Sequence, residues 1–191
     1  MKYLVIIIVV LVVCYMGVRS GFALEQPSYS LVQQLGRLEI RRYDAVVLAT
    51  TELRGDYDNS LNGGFRNIAS YIFGQNNTQE KISMTAPVLV ENPYTPTYNM
   101  SFVMPKSAVA SGLPTPLSAA VEIEPTEWGM VAVWQFGGWA TEKHVQREWA
   151  KMRAELDKAQ ISYKDLDMIA QYNAPTVPPP WRRNELWVFV K

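Results

Sequence analysis

The stretch AVVLATTELRGDYDNSLNGGFRNIASYI, residues 45–72, joins a short apolar run to an amphipathic helical pattern. The run at 45–49 is typical of a strand, and the apolar residues that follow are spaced i, i+4, i+7 and i+11, which is one face of a helix. The residues of this face are Leu61, Phe65, Ile68 and Ile72. Because Gly63 and Gly64 disfavour a helix, we expect the regular helix to begin near Phe65.

The same pattern returns 84 positions later without a gap. An apolar run at 129–133 is followed by a second helical face, and Thr141 with Glu142 forms a suitable start for that helix. The residues of the second face are Val145, Trp149, Met152 and Leu156. Few aligned residues are identical, so the repeat is one of hydrophobic periodicity.

Each half continues with two further strands. An alternating apolar set at 82–88 corresponds to one at 166–172, and the run 102–104 corresponds to 186–188. A short leading strand precedes each half, at 38–43 and at 121–124. We therefore predict an α+β fold, a distorted β-barrel built from two pseudo-twofold βαββ repeats with two flanking helices. Such a barrel leaves a groove between the helices or at its mouth, where ligands commonly bind.

The composition of the chain excludes several classes of protein. It has 191 residues with 18 Lys+Arg against 18 Asp+Glu, so it lacks the basic surplus of a nucleic-acid-binding protein. Its single cysteine excludes a disulfide framework, and its single histidine excludes a multi-histidine metal centre. A hydrophobic content of 48% with 19% charged residues is typical of a globular domain.

The N-terminal residues 1–23 differ from the rest of the chain. Lys2 is followed by an uncharged apolar run at 3–18, and small residues stand at Gly21 and Ala23. This pattern predicts either a signal peptide, cleaved after Ala23, or an N-terminal membrane anchor. Both alternatives predict export, with the domain periplasmic or anchored to the inner membrane facing the periplasm, or secreted if the source is eukaryotic. Removal of residues 1–23 leaves a cysteine-free, slightly acidic domain.

Several motifs of the chain resemble those of one family. They are EIRRY (39–43), FRNIASYIFG (65–74), KISMTAPV (81–88), FVMP (102–105), FGGWATE (136–142) and PWRRNE (180–185). In this order they are similar to the SOUL family of haem-binding proteins over residues 28–191, and KISMTAPV is the most specific of them. The resemblance implies a distorted β-barrel flanked by two helices, a fold shared with the small-molecule-binding domains of bacterial multidrug-responsive regulators. It also implies non-covalent binding of haem or a related tetrapyrrole in a hydrophobic groove near the first helix and a late loop.

The residues expected to bind this ligand come from three segments. The first helix offers an apolar edge and a guanidinium that suits a propionate. The next segment offers a flexible methionine. The late loop offers aromatic side chains in a segment made rigid by prolines. These residues are Phe65, Arg66, Ile68, Ile72, Met84, Tyr172, Pro175, Trp181 and Arg182. The alternative for Phe65, Ile68, Ile72 and Met84 is a place in the core, and the alternative for Arg66 is a solvated position on the surface. The alternative for the late loop is closure of the barrel, with Arg182 and Glu185 as an ion pair.

His144 is the only histidine, and it matches no ligand position of the family. It lies off the apolar stripe of the second helix, so we expect it to face solvent and to pair with Glu148. Ligation of haem iron by histidine is therefore not predicted, and tyrosine and methionine remain as alternatives. No other metal site is predicted.

The predicted function is non-enzymatic binding of a small-molecule tetrapyrrole by an exported monomer with no nucleic-acid partner. A lone histidine off the apolar stripe does not complete a hydrolytic triad, and the glycine pairs lack the flanks of a phosphate loop. An alternative is the binding of other hydrophobic or cationic small molecules, since Glu122 and Glu124 share one strand face. A hydrolase on the same barrel is the least favoured alternative, because no activated nucleophile is visible.

Overall fold

The computed structural model describes residues 24–55 and 57–191, and within these ranges the chain forms one antiparallel sheet of nine strands with three helices. The strands are β1 (Tyr29–Leu35), β2 (Leu38–Tyr43), β3 (Val46–Arg54), β4 (Val88–Glu91), β5 (Thr97–Val103), β6 (Glu122–Thr126), β7 (Met130–Phe136), β8 (Met168–Gln171) and β9 (Asn184–Phe189). The helices are α1 (Tyr57–Ile72), α2 (Lys106–Ser111) and α3 (Glu142–Lys158), and a short 3-10 turn covers Pro179–Trp181. None of the helices in these ranges is long and apolar enough to cross a membrane. The predicted signal peptide or anchor, residues 1–23, lies outside the described residues.

The order of the strands shows how the two repeats combine. It is β1-β2-β7-β9-β8-β4-β5-β3-β6. The strands β4-β5-β3 of the first half and β8-β9-β7 of the second half have the same internal order, and the halves meet where β4 pairs with β8. Each leading strand pairs with the opposite half, β2 with β7 and β6 with β3. The predicted repeat and the predicted α+β barrel-like fold are confirmed, and α3 begins at Glu142 after Thr141 as expected.

The start of α1 differs from the prediction. The helix begins at Tyr57 and not near Phe65, so the expectation drawn from the glycines is wrong. A Cβ at Gly64 would lie 2.7 Å from Cδ2 of Leu53 on β3, whereas a Cβ at Gly63 would meet nothing within 4 Å. The absence of a side chain at Gly64 lets α1 approach β3 closely, and this packing outweighs the low helix propensity of glycine.

The strand after α1 is shorter than the alternating pattern predicts. β4 begins at Val88, and residues 82–87 lie outside the named strands. Pro87 has no N–H to donate to a ladder and restricts the backbone of Ala86, which explains the late start. In the second half, where no proline interrupts the pattern, β8 lies within the predicted range 166–172.

The two faces of the sheet are covered differently. One face packs against α1 and α3, and their apolar stripes form the larger core together with the inward residues of the strands. The opposite face, which we call the open face, carries a second buried cluster. At its centre the ring of Trp187 lies 4.8 Å from that of Tyr43 and 5.3 Å from that of Trp128. The strands therefore bury side chains on both faces, but helices cover only one of them.

Candidate ligand-binding site

The first helix contributes two accessible residues to the predicted site. Phe65 is 40% exposed and its ring lies 5.3 Å from that of Phe102 on β5, and Arg66 beside it is exposed. Ile68 and Ile72 are 0% and 1% exposed and belong to the core. Because these two isoleucines occupy the centre of the apolar stripe, only Phe65 and Arg66 present surface that a ligand can reach from solvent.

Met84 is half-buried in the segment between α1 and β4. The N–H of Ile82 donates to the carbonyl of Ile72 at 2.8 Å, which holds this segment at the end of α1. Val88, the first residue of β4, pairs with Gln171, the last residue of β8, so the late loop begins beside the same segment. The structure thus places the Met84 segment between the end of α1 and the start of the late loop.

Arg182 organises the late loop that joins β8 to β9. Its side chain is buried, and Nη1 donates to the carbonyls of Pro175 at 3.2 Å and Val177 at 3.0 Å. Its guanidinium carbon lies 4.2 Å from the ring centre of Trp139, in the loop after β7. Trp181 is 76% exposed, and Pro175 is exposed as well. Arg182 therefore holds the loop from within, and Trp181 lies on its outer surface.

Tyr172 belongs to a buried charge network on the open face. Glu185 on β9 is fully buried and forms the centre of this network. Its carboxylate accepts hydrogen bonds of 2.7–3.2 Å from Arg41, Tyr172, Arg183 and Trp187. Arg41 and Arg183 neutralise Glu185, so the ion pair expected as an alternative between Arg182 and Glu185 does not form. Sequence reasoning missed this network, because Arg41 and Glu185 are far apart in the chain.

The network fixes the protonation of its members. Burial alone raises the pKa of Glu185, but the charges of Arg41 and Arg183 outweigh it and hold that pKa below its ordinary value. Burial and the charge of Glu185 raise the pKa of Tyr172. Tyr172 therefore keeps its proton at neutral pH and donates it to Glu185 at 2.7 Å, whereas a tyrosine that ligates haem iron gives up this proton. The hydroxyl of Tyr172 is therefore engaged by the network and is not free to ligate haem iron.

His144 lies under the loop after β7 and does not face solvent as predicted. Its side chain is 23% exposed, and Nδ1 lies 2.9 Å from the carbonyl oxygen of Trp139. Nε2 lies 3.7 Å from the Glu148 carboxylate, which confirms the predicted partner. Both ring nitrogens thus have neighbours within the protein. Among the described residues, no group of three or more His, Cys, Asp or Glu side chains is arranged to hold a metal ion.

A cavity of about 430 Å³ lies between residues 25–27, the start of β3 and α2. Its walls are mainly apolar, and its charged members are Glu25, Asp44 and Lys106. The volume is within the range of small-molecule sites. None of the nine predicted ligand residues lines it. The motifs give no sign of this cavity, because its walls come from separate segments that only the fold brings together.

Comparison with known proteins establishes the family. The sequence profile of the family described as "SOUL heme-binding protein" matches residues 24–189. The chain belongs to the SOUL heme-binding protein family. The matched range contains every strand and helix described above, so the resemblance seen in the motifs is confirmed.

Two relatives are similar to this chain over most of their length. Heme-binding protein 1 of Xenopus laevis is 30% identical over 161 residues, which cover 80% of this chain and 83% of the relative. Heme-binding protein 2 of Homo sapiens is 30% identical over 181 residues, which cover 88% and 87%. The similarity therefore extends over most of each protein and is not limited to a short motif.

Solved structures share the fold of this SOUL domain at low identity. The C-terminal domain of EcmrR has a TM-score of 0.59 at 8% identity, covering 83% of this chain and 99% of that domain. A hydrolase from Listeria innocua has a TM-score of 0.55 at 9% identity, covering 84% and 94%. At such identities the likeness shows the fold alone, because one fold carries many unrelated activities.

Proposed function

We propose that this SOUL domain binds haem or a related tetrapyrrole without a covalent bond and without an enzymatic reaction. The observation that carries the proposal is the family match over residues 24–189, together with relatives named for haem binding. The proposed site is a groove between α1 and the late loop. Its accessible contacts are Phe65, Arg66, Met84 and Trp181.

The side chains of this region suit a flat, amphipathic ring system. Phe65 and Trp181 offer exposed aromatic surface, and the half-buried Met84 offers a flexible thioether. The exposed guanidinium of Arg66 matches a carboxylate in geometry and charge. The residues present therefore fit a tetrapyrrole that carries propionate groups.

The binding free energy is proposed to come from the macrocycle and its carboxylates rather than from an iron–protein bond. His144 has neighbours at both ring nitrogens, and Tyr172 keeps its proton for Glu185. Haem, when bound, supplies its own redox chemistry, while the residues of the chain orient the ring and shield it from water. Such a site suits the transfer or buffering of haem.

A haemin titration of the full-length protein tests this function. We expect a saturable one-to-one change of the Soret band, accompanied by quenching of tryptophan emission. Arg66→Gln should weaken binding about tenfold, the value of one charge-assisted hydrogen bond. Lys164→Gln removes another exposed cation, from the segment after α3, and should have no effect. His144→Ala should leave the Soret change intact, and a haemin response that never saturates would refute the proposed function.

We also propose that the domain is exported. The apolar run at 3–18 behind Lys2 supports export, and so does the absence of cysteine from residues 24–191, because such a domain needs no protection from oxidation. Protease added to spheroplasts of a bacterial host should digest the domain while cytosolic markers remain intact. A domain that resists the protease until the cells are lysed would contradict export.

A cationic ligand is the second candidate, and one observation on the open face favours it. Glu91 at the end of β4 is half-buried, and burial together with the charge of Glu124 raises its pKa. A bound cation would offset the repulsion between these two carboxylates. An amphipathic quaternary ammonium dye should then raise the melting temperature of the protein, and Glu91→Gln should abolish that rise. Stabilisation by porphyrins but not by the dye would decide for the tetrapyrrole.

A further inference from the structure

Trp139 and Trp181 form an exposed aromatic edge on two loops that are joined to each other. They are 48% and 76% exposed. The N–H of Gly138 donates to the carbonyl of Pro179 at 3.1 Å, and Nδ2 of Asn184 donates to the carbonyl of Gly138 at 2.9 Å. The two loops are therefore held as one unit. We call Trp139 and Trp181 the tryptophan edge.

The tryptophan edge lies at one end of five neighbouring strands. Phe136, the last residue of β7, pairs with Asn184, the first of β9, and Asn184 also faces Gln171, the last of β8. Val88, the first residue of β4, pairs with Gln171 and with Phe102 near the end of β5. The loops that carry the tryptophan edge, the segment before β4 and the chain after β5 therefore all leave the sheet at this end.

The described chain begins at the same end. The backbone of Glu25 forms a bridge with Thr85, just before β4. The side-chain oxygen of Gln26 accepts a hydrogen bond of 3.3 Å from Arg183, the last residue of the loop that carries Trp181. Leu24 is 44% exposed. Leu24, the first described residue, therefore lies at the same end of the sheet as the tryptophan edge.

Exposed apolar side chains distinguish this end from the other. Val109 on α2 is 38% exposed and adds to Leu24 and the tryptophan edge. The loops at the opposite end of the same five strands expose charged residues: Glu127, Lys164, Asp165 and Lys191. Among the residues described in those loops, no large hydrophobic side chain is exposed. Clustered exposed apolar surface of this kind marks a site of contact with another molecule or with a membrane.

The length of the chain before Leu24 limits how far this end can lie from a membrane. Residues 3–18 carry no charge, and five residues separate Val18 from Leu24. Fully extended, this connection spans at most about 22 Å. With the apolar run in a bilayer, the end of the domain that carries Leu24 stays within that distance of the lipid surface.

We propose that the tryptophan edge docks into the headgroup layer of the membrane that holds residues 3–18. The inference rests on the proposed export and commits to a retained anchor rather than a cleaved signal peptide. Tryptophan is enriched at this layer, because its ring is apolar and its N–H finds polar partners there. The tether presents this end of the domain to lipid in every molecule, so the occupant of the surface is a bilayer rather than a second protein. The late loop of the proposed haem site is then held at the lipid surface.

Brominated lipids test the docking, because they quench only the tryptophans that touch them. The full-length protein, without haem, is placed in nanodiscs of phosphatidylcholine with or without bromine on the upper acyl chain. The other four tryptophans serve as an internal reference because they are at most 6% exposed: Trp128, Trp134, Trp149 and Trp187. If all six emit equally, contact of two of them with lipid removes up to about one third of the emission. The double variant W139F/W181F should lose this quenching entirely.

A relocated tryptophan provides the matched control. Lys164→Trp in the W139F/W181F background places an exposed ring beyond the opposite end of β9, since the N–H of Lys164 donates to the carbonyl of Phe189. This ring should not be quenched by the brominated lipid. Equal quenching at Lys164→Trp, no quenching of the unmodified protein, or a native protein that begins at Leu24 would each overturn the docking. A protein that takes up haemin but shows no lipid quenching loses only this inference, and the proposed function stands.

Discussion

Arg41 and Glu185 form a buried ion pair across the intervening strand β7, with Nη1 and Oε2 3.1 Å apart and side chains that are 3% and 0% exposed. β2 and β9 are not neighbours in the sheet, so this contact joins strands that share no backbone ladder. It also joins the first half of the repeat to the second. Arg41 extends the network to the edge of the sheet, because its guanidinium lies over the ring of Tyr29 at 4.3 Å.

Loss of the Glu185 charge should destabilise the domain strongly. Glu185→Gln leaves Arg41 and Arg183 without their shared carboxylate, and breaking a buried pair in this way costs about 3–5 kcal/mol. Urea denaturation followed by near-UV circular dichroism measures the free energy of unfolding. Glu52→Gln is the matched control. The side chains of Glu52 and its partner Arg54 are 52% and 79% exposed, so their ion pair should contribute less than about 1 kcal/mol. Equal losses for the two variants would mean that burial does not govern these pairs.

Acid should weaken the fold through the same carboxylate. The pKa of Glu185 in the folded state lies below the ordinary value of 4.5, so the unfolded chain takes up the proton first as pH falls. The stabilisation is fully present above that value and is lost as pH falls through the folded-state pKa. The free energy of unfolding of the native sequence should therefore begin to drop as pH falls towards 4.5 and continue to drop until the folded-state carboxylate is protonated.

The contribution of Glu185 is isolated by comparing the variant over the same range. Glu148 also has a lowered pKa, because hydrogen bonds from Lys151 and Trp134 outweigh its burial, and it adds a slope of the same sign. Glu185→Gln, which is less stable at neutral pH, should show a shallower decline than the native sequence. Two parallel curves would show that Glu185 is not the group that titrates.

The two glycines of α1 should respond in opposite directions to the same substitution. Gly63→Ala adds a methyl group with nothing within 4 Å and should stabilise the helix by up to about 1 kcal/mol. Gly64→Ala places its Cβ 2.7 Å from Leu53 and should cost about 1–3 kcal/mol through overpacking. Thermal unfolding of the two variants measures the difference. A stabilising Gly64→Ala would contradict the close packing of α1 on β3.

Substitutions at Phe65 and Ile68 should affect ligand binding and stability to different extents. Ile68→Ala empties a fully buried position and should lower the free energy of unfolding by about 2–5 kcal/mol. Phe65→Ala removes a ring that is 40% exposed, so its main expected effect is weaker uptake of haemin with a smaller loss of stability. Urea denaturation and haemin titration are carried out on both proteins. If Phe65→Ala unfolds the domain as readily as Ile68→Ala, Phe65 belongs to the core and not to the groove.

Hydrophobic periodicity was sufficient to predict the repeat, because it reports which side of a local element is buried. β2 and the start of α3 at Glu142 follow the pattern residue by residue. The start of α1 did not follow, since the close approach of Gly64 to Leu53 depends on a tertiary contact. The exchange of the leading strands between the halves could not be predicted either, because pairing partners lie far apart in the chain and local patterns carry no information about them.

The candidate site shows the same limit. The motifs predict which segments bind the ligand, but periodicity assigns Ile68 and Phe65 to one face without showing that only Phe65 reaches solvent. The hydrogen bond from the Tyr172 hydroxyl to Glu185 was not predicted, because the sequence does not show which donors surround a buried carboxylate. Trp139 lies in the FGGWATE motif, but the sequence does not show how far it is exposed. Its exposure depends on the position of its loop in the fold, where one face of its ring packs against Arg182.

The exchange of leading strands has a consequence for folding during synthesis. β2 is made early, but its inner partner β7 begins only at Met130, and β6 must likewise reach back to β3. The first half emerging from a ribosome therefore has an unfilled place beside β3 and a strand with no inner neighbour. Pairing across such separations is slow, so the sheet stays incomplete until most of the chain has been made. The sheet is complete only once β9 has arrived between β7 and β8 and placed Glu185 beside Arg41.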